Sequence, residues 1–490
     1  MKILNIFQTL ILAACVIFSG CAGTPSIPEH PSGLRFNPLD FKPPRIEDYR
    51  VVLPNGMVVY IAEDRELPTF DMTVMVRTGS MYEDADKRGL ASMCGALMRR
   101  GGTEKYTADQ IDEIMADLAG SLHTDIGFTR GSAGVSVLKE DVDKGLEMLA
   151  EVLVRPVFAE DEIRRYREQA IQGIEHRYDR PGTVLDDVAK TLVYGAHPAG
   201  RLPSKAVLQS ITRDDLVAFH KKYFHPNNCI VAVAGDFNRE EMLRKIQKAF
   251  EGWEKSEVAL PAVKDVEPNF ERGVYLINRD MNQGNVQITH TGIREDNPDL
   301  YAVKVMNTIL GGGGFTSRIT NRVRNEEGLA YSAGSGFNIP REYTGDFSCE
   351  FQTKCASVAY AASIAMAEIN RIRTELVGEE ELKRAKDLYI ERFPSIFTGW
   401  GSTTYAKVSV LAENEASGRP LDYFETYCEN FRKVTAEKVL EAAQKYLHPD
   451  MLKVVVVGKI EDMKKGDGVH AAKLEDFGPI KELTPPDLSK

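Results

Sequence analysis

An internal duplication constrains this chain more than any other feature. Residues 211–235 read ITRDDLVAFHKKYFHPNNCIVAVAG, residues 434–458 read VTAEKVLEAAQKYLHPDMLKVVVVG, and the two segments align without a gap. Thr212 matches Thr435 as a helix N-cap, Tyr223-x-His225-Pro226 matches Tyr446-x-His448-Pro449, and Gly235 matches Gly458 at the end of an apolar run. Each copy therefore reads as a helix, a proline-ended turn and a buried strand. The beginnings correspond more faintly: Thr73–Gly79 (TVMVRTG) and Val286–Gly292 (VQITHTG) both alternate as half-buried strands do, and longer helices follow.

At ~150 residues per domain, a length of 490 leaves room for about three folded units, which two similar halves and short flanks account for. Pro261, Pro268 and a run of charges place the linker at 259–269, between an N-terminal domain over 45–258 and a C-terminal domain over 270–470, with 471–490 as a polar tail. Pro54-Asn55-Gly56, flanked by Arg50–Leu53 and Met57–Ala62, signals a hairpin. Helical patterns over Ala108–Leu118, Lys139–Leu153 and Glu160–His176 fall between strands. The class is α+β: two homologous α/β repeat domains, each an antiparallel sheet packed with helices, facing each other across a cavity that suits an extended ligand.

Hydrophobic residues at 43% and charged residues at 27% are ordinary globular usage, which argues against disorder and against a polytopic membrane protein. A net charge of -11 lacks the positive footprint that phosphate backbones require, so nucleic acid is not expected as a partner. At the N terminus, Lys2 precedes the apolar stretch Thr9–Phe18, the length of a signal-peptide core and too short to span a bilayer comfortably. It ends in Phe18-Ser19-Gly20-Cys21, which resembles a bacterial lipobox in which Cys21 is lipidated. Phe18 stands where leucine is usual, and an ordinary secretory signal is the other reading. Residues 1–21 are then a lipoprotein signal peptide, and the proline-rich residues 22–44 a stiff tether. Acyl chains, at ~0.8 kcal/mol per buried methylene, would hold the protein at a membrane. Ala22 after the cysteine resembles sorting to the outer membrane of a bacterial cell envelope, facing the periplasm. Of the remaining cysteines, Cys94, Cys229, Cys349, Cys355 and Cys428 cannot all pair. They read as buried small apolar residues, with one disulfide possible.

The segment Gly89-Leu-Ala-Ser-Met-Cys-Gly-Ala-Leu-Met-Arg-Arg-Gly-Gly-Thr103 resembles the zinc-helix region of the pitrilysin and insulinase family of metallopeptidases. Asp179-x-Pro181, Tyr194-Gly-x-His197-Pro198 and the duplicated Tyr-x-His-Pro segments continue the resemblance over most of residues 45–460. In that family, two histidines of a His-x-x-Glu-His helix and a distant glutamate bind zinc, and the intervening glutamate takes a proton from the metal-bound water. Here the histidine positions fall on Ser92 and Ala96, the general-base position on Gly95 and the third ligand on Gly173. Serine is a poor zinc ligand, and alanine and glycine have no donor atom. No His-x-x-Glu-His or its reverse occurs anywhere in the chain. The resemblance therefore implies no metal bound by this chain.

The second half carries Gly311-Gly312-Gly313-Gly314-Phe-Thr-Ser-Arg-Ile-Thr-Asn-Arg-Val-Arg324 and, seven residues on, Tyr331. This is similar to the other half of the family's active site, where an arginine and a tyrosine at that spacing reach across the cavity. A guanidinium and a phenol are donors suited to a substrate carbonyl and the oxyanion that grows on it. Read without the family, Arg324 is one of several surface arginines, with Arg318 and Arg322, and Tyr331 an ordinary strand aromatic. Gly328 is expected to cap the helix of Arg324, and Leu329–Phe337 to start a strand carrying Tyr331. The four glycines lack the Gly-Lys-Ser/Thr ending of a phosphate loop and read as backbone that a substrate strand approaches closely, with a plain flexible turn as the alternative.

A chain with the Arg/Tyr pair and without the zinc residues resembles the non-catalytic subunit of a two-chain peptidase. It implies a homologous zinc-bearing partner subunit and peptide substrates. A catalytically inert scaffold of an envelope complex is the alternative, and it needs neither Arg324 nor Tyr331.

Overall fold

Apolar segments, some alternating with polar residues and some continuous, produce twelve strands among the described residues, paired into two six-stranded sheets of matching order. In the computed structural model, residues 30, 33, 34, 41–399 and 403–489 are described. The expected signal peptide, Cys21 and most of the expected tether fall outside them. The first sheet runs β1-β2-β6-β3-β5-β4, from β1 (Arg50–Val52), β2 (Val58–Glu63), β3 (Thr69–Val76), β4 (Ser121–Ile126), β5 (Gly131–Leu138) and β6 (Cys229–Gly235). The second runs β12-β7-β11-β8-β10-β9, from β7 (Gly273–Asn278), β8 (Gln283–Thr291), β9 (Ala333–Asn338), β10 (Asp346–Lys354), β11 (Lys453–Gly458) and β12 (Ile480–Leu483). The duplicated segment thus ends in the equivalent inner strand of each sheet, β6 or β11. Each sheet is mixed and not antiparallel throughout, because β6 pairs parallel with β2 and β11 parallel with β7. The hairpin at Pro54-Asn55-Gly56 forms as expected, with Arg50 opposite Tyr60.

The repeated helices owe their starts to the residues that the alignment paired. Thr212 accepts from Asp215 N–H and Thr435 from Lys438 N–H, capping α4 (Arg213–Tyr223) and α6 (Ala436–Tyr446). Every residue of β6 and of β11 is buried. A strand buried on both faces needs a cover on each side of its sheet, and the second cover comes from the other half. Helix α3 (Pro181–Tyr194) belongs to the first half but packs Val184, Leu185, Val188 and Ala189 onto Tyr275, Ile277, Val455 and Val457 of the second sheet. Helix α5 (Thr403–Ala416) belongs to the second half and lies on β6 and β2 of the first. At ~1.5–3 kcal/mol for each fully buried Val or Leu, α3 alone gives the contact a hydrophobic stabilisation of several kcal/mol.

Polar contacts set the position of each exchanged helix. Arg50 donates to both carboxylate oxygens of Glu415 at 2.8 Å, and Tyr60 Oη donates to the same carboxylate at 2.6 Å. Thr73 and Tyr405 share a hydrogen bond of 2.7 Å on the same face. On the other side, Tyr194 at the end of α3 donates to Asp346 of β10. The linker is a strap and not a slack tether. Val266 is buried in a cluster with Met81, Val193, Tyr194 and Tyr343, and Asp265 accepts from Thr344 N–H at 2.6 Å and Thr344 Oγ1–H at 2.9 Å. Buried Lys453 donates to Asn269 O at 2.9 Å. The C-terminal residues, read as a polar tail, supply β12 alongside β7 and a further contact: Leu488 joins the core of the first half and its carbonyl accepts from Lys205 N–H at 3.0 Å. Cys94, Cys229, Cys349 and Cys355 are buried free thiols and Cys428 is half-buried.

Burial acts to raise the Glu415 carboxyl, but the bonds from Arg50 and Tyr60 outweigh it and hold the group below the ordinary carboxylate range. A depressed folded-state value contributes stability that is complete above the unfolded value, ~4.3, and is lost as pH falls through the folded one. Glu415→Gln is expected to cost about 2 kcal/mol in urea denaturation at neutral pH. The gap between wild type and variant should close as pH is lowered toward about 3.

Candidate functional site

The helix aligned with the zinc motif is α1 (Leu90–Arg100), and its entry is tightly made. Gly89 takes a left-handed conformation at φ 105°, and the buried Glu83 carboxylate accepts from Gly89 N–H at 3.2 Å and from Ala91 N–H. Burial pushes the Glu83 carboxyl up, against those two bonds and nearby Arg88. Ser92 is exposed and Ala96 half-buried, four residues apart on one face, as the register requires. Gly95 is different, being buried with its Cα against the edge strand β4. A Cβ built at Gly95 would lie 2.3 Å from Ile126 N and 2.7 Å from the Asp125 carbonyl carbon. The strand backbone therefore occupies the space that a side chain at position 95 would need. Cys94 on the same helix is fully buried, its thiol aimed at Leu216 O at 3.8 Å, and burial pushes its pKa up, so it is no nucleophile.

Gly173 lies on the neighbouring helix α2 (Glu160–Glu175), exposed, with open space where a Cβ would stand. Arg100 bridges the two helices, donating to Gln169 at 3.0 Å with its guanidinium 6.0 Å from the Tyr166 ring. The four aligned positions thus offer a hydroxyl, a methyl and two stretches of bare backbone. Among the described residues, no group of three or more His, Cys, Asp or Glu is placed to hold a metal ion.

The second half presents the opposite picture. Gly311 and Gly312 of the glycine run and the arginine sit on two wide π-helical turns, Thr308–Gly312 and Asn321–Glu326, a form enriched at functional sites. Arg324 has its Cζ 4.4 Å from the Phe315 ring centroid and 4.7 Å from that of Tyr331. Its neighbours in sequence are committed elsewhere: Arg318 pairs with Glu381 at 2.8 Å and Arg322 with Glu326 at 2.5 Å. Arg324 has no carboxylate partner among the described residues. Tyr331 is 85% exposed and Phe315 62%. Gly328, at φ 61°, ends the turn as expected, with its N–H on Arg324 O at 3.2 Å. The strand, however, begins only at Ala333, so Tyr331 lies in the preceding loop. That loop is pinned by Thr353 Oγ1–H on Leu329 O at 2.7 Å and Thr320 Oγ1–H on Ala333 O at 2.6 Å.

Arg324, Phe315, Gly311, Gly312 and Gly314 line one cavity of about 570 Å³, walled by β9 and by Ser348 and Glu350 of β10. Every lining residue belongs to the second half, so this cavity does not include α1 or α2. Ser348 and Glu350 also line a second cavity of about 580 Å³, between α3 and the second sheet, which contains Asp186, Lys190 and Asp346. Burial first, then the charges of Asp186 and Asp346, push the Glu350 carboxyl above the ordinary range, and Asp186 is raised by burial too. The glycines have internal reasons. A Cβ at Gly311 would meet Ser335 N at 2.3 Å, at Gly312 the Asn307 amide at 2.6 Å and at Gly313 the Thr308 carbonyl at 2.6 Å. Gly314 alone has open space, at φ +66°. The structure thus brings Arg324, Tyr331 and the glycines together, and keeps Ser92, Gly95, Ala96 and Gly173 on two separate helices of the other half. Phe315, Ser348 and Glu350 escaped the sequence reading. Only the aromatic directly after the glycine run was a signal that could have been used.

Two family models match the chain. One described as insulinase (peptidase family M16) covers residues 58–202, and one described as the peptidase M16 inactive domain covers residues 210–389. A Rickettsia felis protein named as an uncharacterized zinc protease is 27% identical over 339 residues, spanning 68% of this chain and 80% of its own length. A probable mitochondrial-processing peptidase subunit beta of Arabidopsis thaliana is 24% identical over 424 residues, spanning 84% and 78%. Among solved structures, a peptidase M16 inactive domain from Pseudomonas fluorescens superposes with a TM-score of 0.73 at 24% identity, over 84% of this chain and 97% of that one. A protease from Helicobacter pylori gives 0.71 at 22%, over 83% and 98%. At these identities the structures establish the fold.

Alanine is the better helix former by about 1 kcal/mol, so Gly95→Ala opposes propensity to the contact with Ile126. The contact is expected to win, with a net loss of about 2 kcal/mol in urea denaturation. Ser92→Ala, on the exposed face, should change stability by less than about 0.5 kcal/mol.

Proposed function

This chain belongs to the insulinase peptidase family M16, and we propose that within it the chain is a subunit without a zinc site, acting on peptides only beside a homologous partner that carries one. The observation that carries this reading is the contrast between the two halves. Position 95 is filled by the chain's own strand, whereas half-buried Arg324 and exposed Tyr331 stand together, Arg324 without a carboxylate partner among the described residues. In such a pair the partner's zinc supplies the Lewis acid and the activated water for hydrolysis. Arg324 donates to the substrate carbonyl with a planar fork of N–H groups, and Tyr331 Oη–H donates to the oxyanion as it grows. The cavity beside Arg324 takes the extended peptide. Residues 1–21 export the chain, and a lipid on Cys21 anchors it to the bacterial outer membrane on the periplasmic side.

The test is reconstitution with the homologous zinc-bearing subunit. Arg324→Ala and Tyr331→Phe are each expected to lower kcat on an unstructured peptide by about 100-fold, the usual loss for one oxyanion donor. The isolated chain should carry no stoichiometric zinc and no turnover. Unchanged turnover in both variants would instead favour the inert scaffold, and zinc with hydrolysis in the single chain would overturn the assignment.

A further inference from the structure

Core packing does not explain Phe315. It is a large apolar side chain left 62% exposed, yet its backbone is held from several sides. Ser317 donates to Gly314 O through N–H at 3.0 Å and through Oγ–H at 2.7 Å. Thr316 Oγ1–H donates to Gly313 O at 3.3 Å, and Asn325 Nδ2–H reaches Phe315 O at 3.5 Å. Gly314 supplies the left-handed residue at which the chain reverses. The turn sends its aromatic ring over the guanidinium of Arg324, and not into the core.

The other two arginines of the segment are oriented by carboxylates, Glu381 and Glu326. A carboxylate fixes a guanidinium by occupying its N–H donors and cancelling its charge. A ring face attracts the same cation through the π-electrons and leaves the five N–H groups in the guanidinium plane available. Arg324 is held in the second way, by Phe315 and Tyr331. We propose that Phe315 is a positioning residue that, together with Tyr331, holds the Arg324 guanidinium flat, charged and with free donors at the glycine-walled cavity before a substrate carbonyl arrives. The inference rests on the substrate-assisting role proposed for Arg324, and it assigns the glycine turn the task of placing Phe315.

Two measurements separate this proposal from the reading beneath it. In the isolated full chain with labelled arginine, the Arg324 side-chain NMR signals, assigned by their loss in R324K, should lie upfield under the two ring currents. They should keep that shift in F315W and move downfield in F315L. Identical Arg324 shifts in wild type and F315L overturn the proposal, whether or not a partner subunit is found. In the reconstituted pair, F315L should lower kcat about five-fold, the equivalent of ~1 kcal/mol of cation–π attraction, with KM unchanged, and F315W should restore it. Wild-type turnover by F315L also overturns it. Absent turnover in the wild-type pair, with the upfield shift intact, counts against the partner and leaves the positioning of Arg324 supported.

Discussion

The reciprocal exchange of two helices is the contact on which the rest of this structure depends. Each sheet has inner strands that are apolar on both faces, and each lacks a second cover of its own. Helix α3 from the first half and helix α5 from the second supply the missing layers. The exchange makes the halves inseparable, and it sets the shape of the space between them. The wall of the cavity containing Asp186 and Lys190 is a helix that crossed from one half to lie on the other's sheet. The Arg50–Glu415–Tyr60 cluster is the polar part of the same contact, directional where the apolar part is not.

Much of this was legible in the sequence, and the parts that were not share a cause. The hairpin, the duplicated helix-to-strand segments and the capping threonines were readable because each depends on residues a few positions apart. Nothing local to 181–194 or 403–416 says which sheet each helix covers. The linker read as a spacer because its prolines and charges dominate, whereas Val266, Asp265 and Asn269 tie it down through partners far away in the chain. Tyr331 read as part of a strand because Leu329–Phe337 is apolar enough, yet pairing with β10 begins only opposite Ala333.

The two halves give the residues singled out in them different surroundings. At Gly95 the backbone of β4 approaches so closely that it excludes any side chain. Ser92, Ala96 and Gly173 are exposed or half-buried and present a hydroxyl, a methyl and open space. Around Arg324 the backbone is elaborate, with two π-helical turns, a crowded glycine run and a loop pinned by Thr320 and Thr353.

The last residues of the chain bear on how it comes to be folded. Leu488 sits in the hydrophobic core built by residues from the opposite end, and α5, made after residue 402, roofs a sheet whose strands are complete by residue 235. A nascent polypeptide emerging from a ribosome would therefore expose an unroofed apolar sheet from residue 235 until residues 403–416 are made, and its first lobe gains the last of its core only with Leu488. The core of the first lobe thus depends on a residue far from it in sequence, and removing Leu488 acts on that distant lobe and not on the one beside it in the chain.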